Sequence, residues 1–268
     1  MIRDITIGQF FPGQSVVHRM DPRMKILLTI VYMVMLFTAF HYAGLVVASV
    51  FILIVAGIAR IPVKLVLRGV RPIVPVILLT SVINACYVPG RTLFRIGFAN
   101  ITYEGVSMAI FMSVRVVFLI VGASMMTYTT SPIALTDGLE QLLSPLKKIH
   151  LPVHELSMMM TIALRFIPTL VEETDKIISA QKARGADFET GNLMRRMRAL
   201  MPILIPLFVS AFRRAEELAL AMDCRCYQGG EGRTRLHRLQ FGRVDFMALA
   251  VMAATYGVVI WCNIRLPY

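Results

Sequence analysis

The chain has 268 residues, 57% of them apolar and only 16% charged, with a mean hydropathy of +0.69. A soluble domain carries about 45–50% apolar and about 25% charged residues, and a core of this size cannot hide the excess without leaving its own surface apolar. That excludes a soluble enzyme, a disordered chain and, with only four scattered Cys, a disulfide scaffold, and leaves an all-α membrane protein whose net charge of +12 suits anionic lipid before nucleic acid.

Five runs are apolar enough to cross a hydrocarbon layer of about 30 Å, which takes roughly 17–25 helical residues. They are 24–40, 43–59, 70–88 (bent by Pro72 and Pro75), 105–128 and 244–264. Residues 1–23 are polar and mixed, without the short apolar core of a cleavable signal. The cations are segregated. Four lie before residue 26, four more (Arg60, Lys64, Arg68, Arg71) in the loop after the second run, and sixteen in 129–243. Three (Arg91, Arg95, Arg265) fall on the other side of the layout, and Arg115 lies within the fourth run. No acidic residue occurs between Arg23 and Tyr103. The positive-inside rule therefore puts the N-terminus in the cytoplasm and, after five crossings, the C-terminus outside the cell.

Two further apolar runs, 156–171 and 200–212, are too short for confident spans, and the first contains Arg165 and Pro168. If both crossed, six cations between them would be outside, so they are read instead as parts of cytoplasmic helices. The organisation expected is a four-span membrane region over 1–128, a cytoplasmic domain over 129–243 and a last span over 244–268.

Within the cytoplasmic domain three helices are expected. The first opens at Ser131-Pro132, an N-cap followed by proline at the first helical position, and carries an apolar stripe at Leu135, Leu139, Leu142, Leu143 and Leu146. The second runs over 153–184, kinked at Pro168, and the third over 202–227, with Pro202 and Pro206 near its start. Both long helices begin apolar and end charged, and each ends in an arginine between small residues: Ala183-Arg184-Gly185 and Cys224-Arg225-Cys226. An arginine in a last turn complements the helix dipole and a following glycine is an ordinary C-cap, so spacing alone leaves open whether these tips are caps or contacts.

At these residues the chain resembles the transmembrane (T) component of energy-coupling factor transporters. The phrases that carry the resemblance are Thr129-Thr130-Ser131-Pro132, Gly138-Leu139-Glu140, Arg165-Phe166-Ile167-Pro168, Ala183-Arg184-Gly185, Arg213-Arg214-Ala215-Glu216 and Ala221-Met222-Asp223-Cys224-Arg225-Cys226-Tyr227. Their order fits from about residue 15 to the C-terminus. The resemblance implies a non-catalytic subunit that joins a substrate-capturing membrane subunit, the S component, to two ABC-type ATPases in a vitamin or trace-metal importer. It also implies that each Arg-centred tip docks in a groove of one ATPase, and that ATP and magnesium are held by those partners with no cofactor in this chain. The cysteines around Arg225 depart from the usual small-residue form and are expected to act as small, mostly buried hydrophobes.

Arg115, at bilayer depth, is expected to find a pairing inside the bundle, and Arg165 with Pro168 to anchor the coupling domain under the bilayer. Met158-Met159-Met160 suits core filling or a plastic surface for several S components. Two thiols at Cys224 and Cys226 without a second pair make a weak zinc signal, and the chain contains no Gly-x-x-x-x-Gly-Lys-Ser/Thr phosphate loop. The competing readings are an independent membrane carrier or channel, and a lipid-binding membrane enzyme with a basic cytoplasmic domain.

Overall fold

A computed structural model describes residues 10–96, 99–145, 152–186, 193–229 and 239–265. The chain order is α1 (Val16–Arg19), α2 (Pro22–Thr38), α3 (Tyr42–Ala59), α4 (Val63–Val70), a 3-10 turn (Arg71–Ile73), α5 (Val74–Tyr87), β1 (Thr92–Ile96), β2 (Ala99–Thr102), α6 (Tyr103–Thr129), α7 (Pro132–Leu143), α8 (Val153–Ala183), α9 (Leu193–Asp223) and α10 (Arg243–Arg265). Two compact units result, one of residues 8–138 with 238–268, the other containing 139–237.

The first unit is a bundle of α2, α3, α6 and α10, with α4 and α5 packed on α6. Four stretches are long and apolar enough to cross a membrane: Tyr42–Ala59, Val63–Tyr87, Tyr103–Thr129 and Arg243–Arg265. At 17 residues, or about 26 Å, α2 is slightly shorter, but its end-to-end bonding places it with them. At its start the Lys25 ammonium donates to the carbonyl of Thr129 at 2.8 Å, and the Asp21 amide donates to Asp245 at 3.0 Å. At its finish Asn263 donates to the carbonyl of Thr38 at 2.6 Å. The helix therefore reaches from one end of α6 and α10 to the other end of α10, as a fifth crossing element must.

The core lies between these helices: Tyr32, Met35 and Leu36 of α2, Leu45 and Ala48 of α3, Phe111, Val121 and Met125 of α6, and Met252 and Val259 of α10 are all buried. Close packing of α2 on α6 depends on Gly122, where a Cβ would come within 2.3 Å of the Tyr32 ring. Outward faces stay apolar, with Leu53, Ile54, Leu78, Leu79 and Val82 exposed. That pattern suits a surface solvated by acyl chains, where backbone polar groups must be satisfied within the helices.

Two features differ from the sequence expectation. The third crossing stretch is bent at Pro72 as expected but starts earlier than residue 70, running over Val63–Tyr87. Pro72 lacks an amide hydrogen, so α4 ends at Val70, the chain tightens into the 3-10 turn, and α5 starts afresh with Pro75 in its first turn. The connection from α5 to α6 adds a short hairpin to the all-α architecture expected, β1 and β2 pairing antiparallel with Thr92 opposite Thr102.

The second unit is dominated by α8 and α9, each 31 residues. Neither is among the helices apolar enough to cross a membrane. Their contacts pair Gln181 with Pro202, Glu173 with Ser210 and Arg214, and Met158 with Tyr227. As one number rises the other falls, so the two helices form an antiparallel hairpin. Helix α9 begins nine residues before the expected 202, so Pro202 and Pro206 lie in its interior rather than near its start. The physical cost of those prolines is partly recovered: Pro206 cannot donate to the carbonyl of Pro202, and the Gln181 side-chain amide donates there instead at 3.4 Å.

Candidate functional site

The tips of α8 and α9 are built alike. At the end of α8 the Ala186 amide donates to Gln181 and the Gly185 amide to Lys182, both at 3.0 Å. At the end of α9 the Tyr227 amide donates to Met222 at 3.1 Å and the Cys226 amide to Asp223 at 2.9 Å. Each set is a six-to-one bond enclosing a five-to-two bond, the Schellman closure of a helix. In both, the arginine occupies the same place, one residue before the residue with left-handed backbone. That next residue is Gly185 (φ +86°) in the first tip and Cys226 (φ +54°) in the second.

This closure has a consequence for side-chain placement. The reversal sends the main chain away from the helix axis immediately after the arginine, so the guanidinium stands at the apex of the turn. Ala183, Arg184 and Gly185 are all exposed, as are Cys224, Arg225 and Cys226. The expectation that the two cysteines are mostly buried is not met within the described residues: both are exposed, on either side of Arg225 in the closing turn. Among the described residues no group of three metal-ligating side chains occurs.

The hairpin separates the arginines rather than gathering them. Opposite Arg225 lies the stretch of α8 near residue 160, some 24 residues before Arg184, which at 1.5 Å per residue is roughly 36 Å along the hairpin. The helices are held in register by Glu173, whose carboxylate accepts from the Ser210 hydroxyl and from Arg214 at 3.1 Å. Those two donors, Ser210 first, hold the Glu173 carboxyl below the usual carboxylate range. The Tyr227 hydroxyl, one residue beyond the second tip, donates to Met158 at 3.1 Å. None of these pairs has a local sequence signal except the Gln181 bond, which the missing amide of Pro206 points to.

Arg165 and Pro168 are exposed on α8 and belong to neither tip. Arg115 is buried in α6 and donates at 2.5 Å to the carbonyl of Ala39, the C-cap of α2, with its guanidinium 4.6 Å from the Phe111 ring. The cation thus meets the negative end of a helix dipole. Asp21 and Asp245, buried at the opposite end of α2, escaped sequence reasoning because 224 residues separate them. Their network also holds Arg23, which bonds Asp21 at 2.7 Å and stacks 4.0 Å over Phe241.

The fold and these tips define a class: a multi-pass α-helical membrane protein bearing a long helical hairpin with an exposed arginine at each helix C-terminus. Residues 13–236 match the CbiQ family, described as cobalt transport protein. The energy-coupling factor transporter transmembrane protein EcfT of Acidaminococcus fermentans is 52% identical over 267 residues, 100% of both chains. Its namesakes from Ruminiclostridium cellulolyticum and Bacillus subtilis are 53% identical over 94% of both chains, and 45% identical over 95% of this chain and 97% of that one. The chain belongs to the EcfT family, the transmembrane components of energy-coupling factor transporters.

Proposed function

We propose that this subunit is the mechanical link of its transporter, a non-catalytic scaffold that passes ATP-driven movement of two ABC-type ATPase subunits to a substrate-binding S component during micronutrient uptake. One observation carries the reading: two unrelated tripeptides close their helices with the same hydrogen bonds and lift an arginine to the same apex. A cap needs no arginine there, since the backbone bonds already satisfy the helix end. A guanidinium in that position is suited to forked bonds with a carboxylate of another chain.

The antiparallel hairpin adds a geometric argument. Pegs roughly 36 Å apart at opposite ends of one rigid piece can each address a different ATPase, so relative motion of the pair turns or tilts the hairpin. ATP and magnesium would be held by those partners. The S component would select the cargo, a vitamin or a trace metal, and the description of the matching family as cobalt transport protein supports the latter. Exposed Ile205, Phe208 and Phe212, at helical spacing on α9, supply an apolar stripe of the kind an S component would cover, and Met159 and Met160 are exposed on α8. By the distribution of cations, the hairpin and the N-terminus are cytoplasmic and the C-terminus is outside.

The test is Arg184→Ala with Arg225→Ala, in cells making the whole transporter. Both side chains are exposed, so the variant should insert and fold normally. Truncating one member of an interfacial charge pair costs about 2–5 kcal/mol, so ATPase retention on purification and ATP-driven uptake should both fall at least thirtyfold. Unchanged retention and uptake would show that the tips are caps alone.

A further inference from the structure

The basic segment between α3 and α5 lies outside the arginine tips, and its three faces are sharply differentiated. On α4, Leu65, Val66, Gly69 and Val70 are half-buried, with Leu65, Val66 and Val70 against the core of the bundle. The Tyr128 hydroxyl of α6 fixes that face by donating to the carbonyl of Leu65 at 3.2 Å. A second stripe, Lys64, Arg68 and Arg71, spaced four and three residues apart, is exposed, and Arg60 precedes it by four. A third stripe, Val63, Leu67 and Val74, is also exposed and wholly apolar, at 71%, 63% and 42% of full accessibility. Spacings of three and four residues put Lys64, Arg68 and Arg71 along one side and Val63 with Leu67 along another, and Val74 follows seven residues on, beyond the 3-10 turn.

We infer that α4 with the turn after it is an anionic-phospholipid binding site, in which Lys64, Arg68 and Arg71 hold headgroup phosphates while Val63, Leu67 and Val74 enter the acyl layer beside them. Three observations choose this occupant. The helix lies level with the last turn of α6, where the Lys25 ammonium bonds the Thr129 carbonyl, and so at a bundle end rather than at mid-depth. It forms the first two turns of the crossing stretch Val63–Tyr87 and follows directly on Tyr42–Ala59, so lipid is already its neighbour. No carboxylate lies in sequence between Arg23 and Tyr103 to neutralise its cations. An exposed apolar stripe alongside a cationic one is the pattern of a helix lying in the headgroup boundary, and guanidinium groups give phosphate two-pronged bonds. A soluble phosphate would satisfy the cations but leave the apolar stripe in water.

The site can be read with the full-length protein, purified in a zwitterionic detergent and titrated with phosphatidylglycerol or phosphatidylcholine while bound lipids are counted by native mass spectrometry. The wild type should retain phosphatidylglycerol in preference to phosphatidylcholine, with affinity falling as salt rises. Each cation near an anionic surface contributes about 1 kcal/mol, or roughly fivefold, so Lys64→Gln/Arg68→Gln/Arg71→Gln should weaken phosphatidylglycerol binding about a hundredfold. Should the triple variant insert poorly, the pair Arg68→Gln and Arg68→Lys keeps the question decidable: glutamine loses about fivefold and lysine much less. Val63→Ser/Leu67→Ser should also lower retention, which a bare phosphate site would not require. Equal retention of the two lipids, wild-type retention by the triple variant or by Arg68→Gln, or displacement of lipid by equimolar inorganic phosphate would overturn the inference.

Discussion

The bundle is built from helices apolar enough to cross a membrane and the hairpin from amphipathic ones, and the two dispose of their polar groups in opposite ways. Inside the bundle, the buried cations end on main-chain carbonyls: Lys25 on Thr129 and His18, Arg115 on Ala39. In the hairpin, Arg184 and Arg225 turn outward, and large apolar side chains such as Phe208 and Phe212 are left 61% and 70% accessible. The difference follows from solvent. A bundle bathed in hydrocarbon must satisfy every polar group internally, whereas a hairpin with an uncovered apolar face of this size has the surface of a binding element. Stability should therefore respond to interior changes in the bundle, and assembly to exterior changes in the hairpin.

The sharpest way to break this contrast is at Gly122. A leucine there drives a branched side chain into the Tyr32 ring, which a Cβ alone would approach to 2.3 Å. Gly122→Leu should cost the bundle about 3 kcal/mol, seen as a lowered thermal midpoint of the full-length protein in detergent. Arg115→Met comes next. It leaves the Ala39 carbonyl without its 2.5 Å donor, and an unsatisfied buried acceptor costs about 1–3 kcal/mol. Arg115→Lys should recover part of the loss, because an ammonium can still donate; an unchanged midpoint in Arg115→Met would mean the bond adds nothing.

These two positions also mark the limit of what the sequence discloses. Apolar run length locates the crossing helices because hydrocarbon thickness sets a local rule that any segment must obey. Proline and arginine spacing likewise picks out the tips, since helix closure is decided within six residues. Gly122, by contrast, looks like any helix glycine until Tyr32 is placed against it. The same holds for Asp21 with Asp245 and for Glu173 with Arg214, which depend on contacts between distant segments. The sequence misplaces the start of α9 because two prolines suggest a beginning, while the helix carries both in its interior and the Gln181 amide serves the Pro202 carbonyl that Pro206 leaves without a donor. The exposed cysteines were misjudged for the reason that thiols are usually buried, a tendency that a projecting turn overrides.

The caps allow a smaller, paired test. Gly185 has φ +86° with open space around it, and Cys226 has φ +54°. A side chain in left-handed backbone costs roughly 1–2 kcal/mol relative to glycine. Gly185→Ala should loosen the first tip and Cys226→Gly should tighten the second, by about 1 kcal/mol each and with opposite sign. Hydrogen exchange of the Ala186 and Tyr227 amides reports the two closures separately. If both variants moved in one direction, the tips would not share a cap.

The smallest effect expected is the charge dependence of the hairpin. Ser210 and Arg214 lower the Glu173 carboxyl below its ordinary range, so the folded hairpin binds that proton less readily than the unfolded chain does. The resulting stabilisation is fully present above the ordinary glutamate value of about 4.3 and is lost as pH falls through the lowered value. Water screens the pair, which limits the contribution to less than about 1 kcal/mol. Glu173→Gln keeps an acceptor for Ser210 but removes the charge facing Arg214. At neutral pH, amides in the middle of α8 and α9 should therefore exchange faster in the variant by a factor of up to about five. Below the lowered carboxyl value the wild type has itself lost the charge, and the two proteins should converge. A difference that persists unchanged into acid would assign the pairing to the shape of the side chain and not to its charge, and the register of the hairpin would then rest on packing and on the Gln181 bond.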